Sequence, residues 1–264
     1  MGSGATSSQE FAAMRRRLEE LALAVLDQSR ALRTTFSLTG AKRKDTLGQI
    51  IANDAEVDSL ELSLDDLTMA FMNFRAPLGR DLRYAIGAID VAAGLERIGD
   101  CVEYIARKVM DLGDVADIGD ASDSSSEIWL VLRELSDKSY MILEMSVAAL
   151  LSGDAMAAEV IPPLDNVVDA LQDKAHDLVL KALRNPGPAE AGAAAMDPES
   201  GLMFVACANK FESIADIACH IAETVVFIVQ ARRIRHGLQD AVSFVGGASS
   251  APDALDKQFN DESK

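Results

Sequence analysis

Basic side chains are scarce in this chain: 25 Lys and Arg face 42 Asp and Glu, for a formal net charge of −17 and a pI near 4.5. That balance excludes the positive footprint with which a nucleic-acid binder neutralises phosphates. Aromatic residues make up only 5% of the 264, with one Trp and three Tyr, while Ala, Leu and Asp are plentiful, a composition that favours helices over sheets. Cysteine is limited to Cys101, Cys207 and Cys219, with no C-x-x-C spacing. The last two, on one helix, would stand roughly 18 Å apart at ~1.5 Å rise per residue, too far to bridge. An odd count without a pairing pattern points to reduced thiols in a cytoplasm. The longest apolar stretches, such as Val225 to Val229, fall far short of the ~20 residues a bilayer span needs. The first residues also lack the apolar segment of a secretory signal. Catalytic apparatus is missing as well: the chain has no nucleophile motif, no glycine-rich phosphate loop and no H-E-x-x-H.

What is present is helical periodicity. Apolar residues recur at three and four, and the breaks predict six long helices: about Gln9–Phe36, Arg43–Phe74, Leu78–Leu112, Glu127–Leu151, Asp154–Leu183 and Glu199–Arg235. Pro77 marks the second boundary, and Pro162-Pro163 should kink or restart the fifth helix. The expected order is a disordered lead over 1–8, a first bundle over 9–113, an acidic linker over 114–126, a second bundle over 127–236 and a disordered tail over 237–264. The fold class is therefore all-α, with two tandem three-helix bundles whose helices run up, down and up.

Acidic pairs four residues apart repeat in the same order in both halves. Asp54 and Asp58 precede Glu96 and Asp100 by 42 residues, and Asp165 and Asp169 precede Glu212 and Asp216 by 47. Carboxylates at i and i+4 lie one above the other and repel, whereas solvent faces usually place Lys or Arg there and gain about 0.2–0.5 kcal/mol. Each pair falls beside, not on, its helix's apolar stripe: Val57, Leu64 and Phe71 on the second helix, Ile98, Val102 and Ile105 on the third. Antiparallel packing of neighbouring helices would gather four carboxylates on the outside of each bundle, an all-oxygen site suited to a hard cation. A solvated polar face is the plainer alternative for any single pair. His176, His220 and Cys219 lie close to these stripes, as exposed histidines and a buried thiol before ligands.

The run Arg75-Ala76-Pro77-Leu78-Gly79-Arg80-Asp81-Leu82-Arg83, followed by Leu95-Glu96-Arg97-Ile98-Gly99-Asp100, resembles the first repeat of the PhoU family of phosphate-uptake regulators. Phe211-Glu212-Ser213-Ile214-Ala215-Asp216 with Ile221-Ala222-Glu223 resembles its second, Ser213 replacing the usual Arg. The resemblance implies two three-helix bundles that carry divalent or trivalent metal ions (iron, zinc, manganese or magnesium) on Asp54, Asp58, Glu96, Asp100, Asp165, Asp169, Glu212 and Asp216. The sequence departs from the family pattern where Cys101 and Ile217 take a common His position, Tyr104 and His220 replace an Asn, and Arg107 replaces a closing Glu. Four residues after Glu103, Arg107 would partly neutralise its stripe. Phosphate-responsive regulation without catalysis is the implied function, through contact with the ATPase subunit of a phosphate ABC transporter and with a phosphate-sensing histidine kinase, in the cytoplasm; a homodimer stays open. Two rivals remain. A ferritin-like di-metal carboxylate oxidase would need Glu-x-x-His on two helices, which the chain lacks; a metal-free helical interaction module would need only the acidic faces.

Overall fold

The computed structural model of the chain describes residues 3–113, 124–184 and 196–234, the side chains of 3–8 and 124–126 excepted. The expected tail over 237–264, most of the acidic linker and most of the Pro, Gly and Ala loop after Arg184 lie outside those residues. The described helices are α1 (Ser3–Thr35), α2 (Gly40–Arg75), α3 (Gly79–Leu112), α4 (Ser124–Ser152), α5 (Ala155–Glu159), α6 (Asp165–Arg184) and α7 (Pro198–Gln230), with a 3-10 turn over Pro162–Leu164. Among the described residues there is no strand.

Local chemistry sets the ends. α2 stops where Ala76 turns left-handed (φ 42), its N–H bonded back to the Met72 carbonyl, and Pro77 cannot continue the ladder. Asp154 caps α5 by accepting from the N–H groups of Met156 and Ala157, both at 3.0 Å. Asp197 caps α7 by accepting from Ser200 N–H at 2.9 Å, with Pro198 at the first helical position.

Several boundaries depart from the sequence reading. The first helix begins at Ser3, inside the expected lead, where no proline interrupts the backbone ladder despite Gly4. Ser124–Ser126, expected in the linker, already belong to α4. The fifth expected helix is broken in two: Pro162 and Pro163 supply no N–H donors, so the chain makes one 3-10 turn and restarts at Asp165. The last helix ends at Gln230, not Arg235, because Ala231 adopts a left-handed cap (φ 57).

The first bundle is α1, α2 and α3; the second is α4, α6 and α7, with α5 packed on α7 and α4. The most extensive helix–helix interface joins the bundles, α3 against α7, with α1 against α4 beside it, so one apolar core runs through both halves. Glycine permits the close approach. A Cβ on Gly87 would stand 2.6 Å from Ile228 Cγ1 and Cδ1, and one on Gly94 would stand 3.2 Å from Ile217 Cγ2, a pairing that makes α3 and α7 antiparallel. Gly48, on α2, has open space where a Cβ would go. Gly48→Ala should therefore stabilise by about 0.5–1 kcal/mol through helix propensity alone. Gly87→Ala gains the same propensity, but overpacking costs about 1–3 kcal/mol, so it should destabilise on balance. Denaturant midpoints of the two variants, read side by side, check the opposite signs; equal stabilisation would contradict the close α3–α7 approach.

Candidate functional site

In the first half, α2 and α3 bring their acidic stripes within electrostatic reach. Burial raises the carboxyl of Asp54 above its ordinary range, a hydrogen bond from Gln28 opposes this, and the charges of Glu103, Asp58 and Asp100 push it further up. Burial likewise raises Glu96, aided by Asp100, Glu61, Asp58 and Asp54. All four expected residues therefore sense one another, and Glu61 and Glu103 join them. Gly99 makes room for this: a Cβ there would meet Val57 Cγ1 at 3.1 Å and Asp54 Oδ1 at 3.4 Å.

Gln28 of α1 is a participant that the sequence reading missed. Its Nε2 donates to the Ile50 carbonyl and to Asp54 Oδ1, each at 3.3 Å, and its buried Oε1 has no partner. The only sequence signal was a polar residue in an apolar register of α1. Arg107 pairs with Glu103, as expected, and Asp54 also favours its charge. One guanidinium thus stands within the first acidic cluster.

The second cluster differs. Asp165, expected on a solvent-facing stripe, is only 7% exposed, because the proline break makes it the first residue of α6 and sets it against α7. Its Oδ1 is buried without a hydrogen-bond partner. Burial is the largest cause of its raised carboxyl pKa, about 7, followed by a hydrogen bond shared with Asp216 and by the charges of Asp216, Asp169 and Glu212. Glu212 is raised by burial, then by Asp216, a bond from Ser213 opposing and Asp169 adding. The four expected residues again sense one another, with Asp58, Asp100, Asp169 and Asp216 exposed and Asp54, Glu96 and Glu212 half-buried. Cys219 is buried; that burial, then Asp165, Asp216, Glu223 and Asp169, raises its thiol far above the ordinary value. Cys207 is pushed up to about 12 by burial, so both thiols are protonated packing groups.

Among the described residues no three His, Cys, Asp or Glu side chains close around a point as a finished metal shell. The donors nevertheless match a hard cation: oxygen only, like-charged, and including a buried carboxylate oxygen without a partner. His176 Nε2 lies 2.8 Å from Asn209 Oδ1, and His220 Nε2 lies 3.0 Å from Asp90 Oδ2.

A family model of the PhoU domain matches the chain twice, over residues 17–109 and 132–225. The chain belongs to the PhoU family. A phosphate-specific transport system accessory protein PhoU homolog of Zymomonas mobilis is 26% identical over 204 residues, 77% of this chain and 79% of that one. PhoU homolog 1 of Thermotoga maritima is 22% identical over 202 residues, 76% and 81% of the two chains. In structure the fold is similar to the phosphate transport system regulatory protein PhoU of Streptococcus pneumoniae, with a TM-score of 0.71 at 17% identity, covering 87% of this chain and 99% of that one. PhoU of Pseudomonas aeruginosa gives a TM-score of 0.63 at 21% identity, covering 86% and 97%.

Two departures from the PhoU pattern find a use in the seam between bundles. Tyr104 of α3 receives Lys210 of α7 over its ring, Nζ at 5.3 Å from the centroid, with Lys108 at 5.8 Å. His220 of α7 reaches Asp90 of α3, and Thr224 Oγ1 donates to the same Asp90 oxygen at 2.9 Å. Both positions lie four residues beyond a motif aspartate, and in this PhoU-family chain both are engaged with the opposite bundle.

Proposed function

We propose that this chain is a non-enzymatic accessory of phosphate uptake, cytoplasmic, which binds divalent or trivalent cations on its two acidic clusters and represses uptake when phosphate is plentiful. Its partners in this reading are the ATPase subunit of a phosphate ABC transporter and a phosphate-sensing histidine kinase. Family membership and the likeness to accessory and regulatory proteins of phosphate transport support the regulatory part. Among the described residues no helix is long and apolar enough to cross a membrane, so contact with a transporter would be peripheral. The cation part is supported by one observation: in each half the four expected carboxylates lie within electrostatic reach of one another, and in the second half an oxygen of the buried Asp165 carboxyl has no hydrogen-bond partner.

Asp54, Asp58, Glu96 and Asp100 would hold one site, and Asp165, Asp169, Glu212 and Asp216 the other. When bound, the ion supplies the positive charge that ties α2 to α3 and α6 to α7. Without it, burial and then neighbouring negative charge raise the carboxyls of Asp54, Glu96, Asp165 and Glu212.

Chelator-treated protein should show a melting temperature that rises with added iron, zinc, manganese or magnesium. Replacing Glu212 and Asp216 together by Ala should remove the part of that rise due to the second cluster while sparing the fold, since neither belongs to the fully buried core. No shift with any of the four metals would favour the metal-free module. Oxygen consumption by iron-loaded protein would favour the ferritin-like oxidase. Pull-downs from cells at high and low phosphate test the partners, and failure to recover the ATPase subunit or the kinase under either condition would remove them.

A further inference from the structure

One end of the molecule is unlike its acidic remainder. α1 begins there, α2 turns into α3, and α7 finishes against the first turns of α3. The Arg75–Glu10 bonds (2.6 and 2.9 Å), the Phe11–Tyr84 ring contact (4.9 Å) and the 3.4 Å bond from Arg83 Nε to the Ile228 carbonyl hold these pieces together. The α2–α3 turn carries Phe74 and Leu78, which are 75% and 82% exposed. Left-handed Ala76 and Gly79 (φ 42 and 57) fix the turn between and after them. Around it Arg15, Arg16 and Arg80 are exposed and Arg83 half-buried, with Arg15 and Arg80 lining one cleft beside Tyr84.

Several acids of this end are paired or capping, while Glu19 lies near Tyr84 and Asp81 lines the same cleft as Arg15 and Arg80. Glu10 is bound to Arg75, Glu159 to Arg232, and Asp154 caps α5. Asp81 sits in the first turn of α3, where the helix dipole favours a negative charge.

We propose that this end is a membrane-contacting surface, in which Phe74 and Leu78 enter the acyl boundary of an anionic bilayer while the exposed Arg15, Arg16 and Arg80 face its headgroups. Large apolar side chains on an exposed turn, ringed by cations, combine the two attractions that interfacial binding needs, since either alone is marginal. A bilayer also accepts protruding side chains without a preformed socket, which a folded protein partner would have to supply. The net charge of −17 does not oppose this. At ~1.5 Å per residue, Glu96 lies roughly 24 Å along α3 from Arg80, about three Debye lengths at physiological salt, so this end responds to its own charges.

The test is co-sedimentation of the full chain with vesicles of phosphatidylcholine alone and of an equal phosphatidylcholine and phosphatidylglycerol mixture. Binding is expected to the mixed vesicles only and to weaken with salt. The Phe74→Ser/Leu78→Ser variant should partition at least about tenfold less, because two buried apolar side chains are lost. An Arg16→Glu/Arg80→Glu variant should lose most of the salt dependence. These side chains are exposed, so unchanged melting temperatures confirm folding. Absence of binding, equal binding to the neutral vesicles, or full binding by the serine variant would each overturn the proposal. Recovery only with membranes that contain protein, and not with pure lipid, would do so as well and would point to a protein socket.

Discussion

Phe211→Ala should lower the free energy of unfolding by about 3–5 kcal/mol, the range for truncating a fully buried aromatic side chain. Phe211 is 1% exposed; its ring centroid lies 5.8 Å from that of Phe36, which lies 4.8 Å from that of Trp129. Phe211 lies on α7, Trp129 on α4 and Phe36 in the turn just after α1, so the cavity would open where the two bundles meet. Three helices held apart by their other contacts cannot collapse into it, and incomplete collapse is what brings a truncation to the upper part of the range. Arg43 also rests over the Trp129 ring, 5.1 Å from its centroid, and its Nε donates to the Thr35 carbonyl. Trp129 is the only tryptophan, so its fluorescence reports directly on this junction. Urea unfolding followed by that fluorescence and by circular dichroism measures the loss. A cost below about 1 kcal/mol would mean that the bundles do not share their core in solution.

The second large effect is a dependence on pH in metal-free protein. Asp165 holds its proton up to about pH 7 when folded, against an ordinary value of 3.8 when unfolded. Between those values the folded chain carries more protons than the unfolded one, so stability falls as pH rises. The contribution is complete below the unfolded value and gone above about 7. Because Asp165 and Asp216 share the proton, the displacement belongs to the pair; even half of it corresponds to about 2 kcal/mol. Asp54, Glu96 and Glu212 shift in the same direction through burial and mutual repulsion. Glu10, through its bond to Arg75, and Asp197, through its bonds to Ser200, shift the opposite way, and stability from a lowered carboxyl is lost only as the pH falls toward its pKa, not between pH 5 and pH 8. Melting temperatures of chelator-treated protein should therefore fall between pH 5 and pH 8. Asp165→Asn, which removes the charge and retains the shape, should flatten that fall and be the more stable protein at pH 8. A wild-type curve that is level or rising across this range would show that Asp165 is not buried beside Asp216.

These two results would also separate what the carboxylates do from what the core does. Phe211 and Glu212 are consecutive, yet one faces the junction of the bundles and the other the acidic cluster. Truncating the first should weaken the whole fold. Truncating the second with Asp216 should leave the metal-free fold intact or improve it, because like charges are removed. A helix can carry both functions because adjacent residues point about 100° apart.

The helices were legible because their signals are local. Apolar spacing of three and four, the Pro77 stop and the proline pair at 162 and 163 act within one or two turns, and the boundaries lie within a few residues of those expected, apart from the break before Asp165 and the early start at Ser3. The acidic repeat was legible for the same reason: Glu96 and Asp100, or Glu212 and Asp216, share a face by spacing alone. Less could be read across helices. Gln28 reaches Asp54 from another helix, and Tyr104 and His220 turn toward the opposite bundle, not toward the carboxylates from which their positions are counted.

The amino-acid sequence by itself determined the all-helical class, the approximate bounds of most helices, the repeated order of four acidic pairs and membership of the PhoU family, because periodicity and motif are properties of neighbouring residues. Only the tertiary structure decided that α3 and α7 are the seam between the bundles, that Asp165 is buried with one oxygen unpartnered, and that Phe74 and Leu78 stand exposed among arginines. Those outcomes depend on which faces meet and how closely the backbones approach, and such contacts join residues too far apart in the chain for any local pattern to encode.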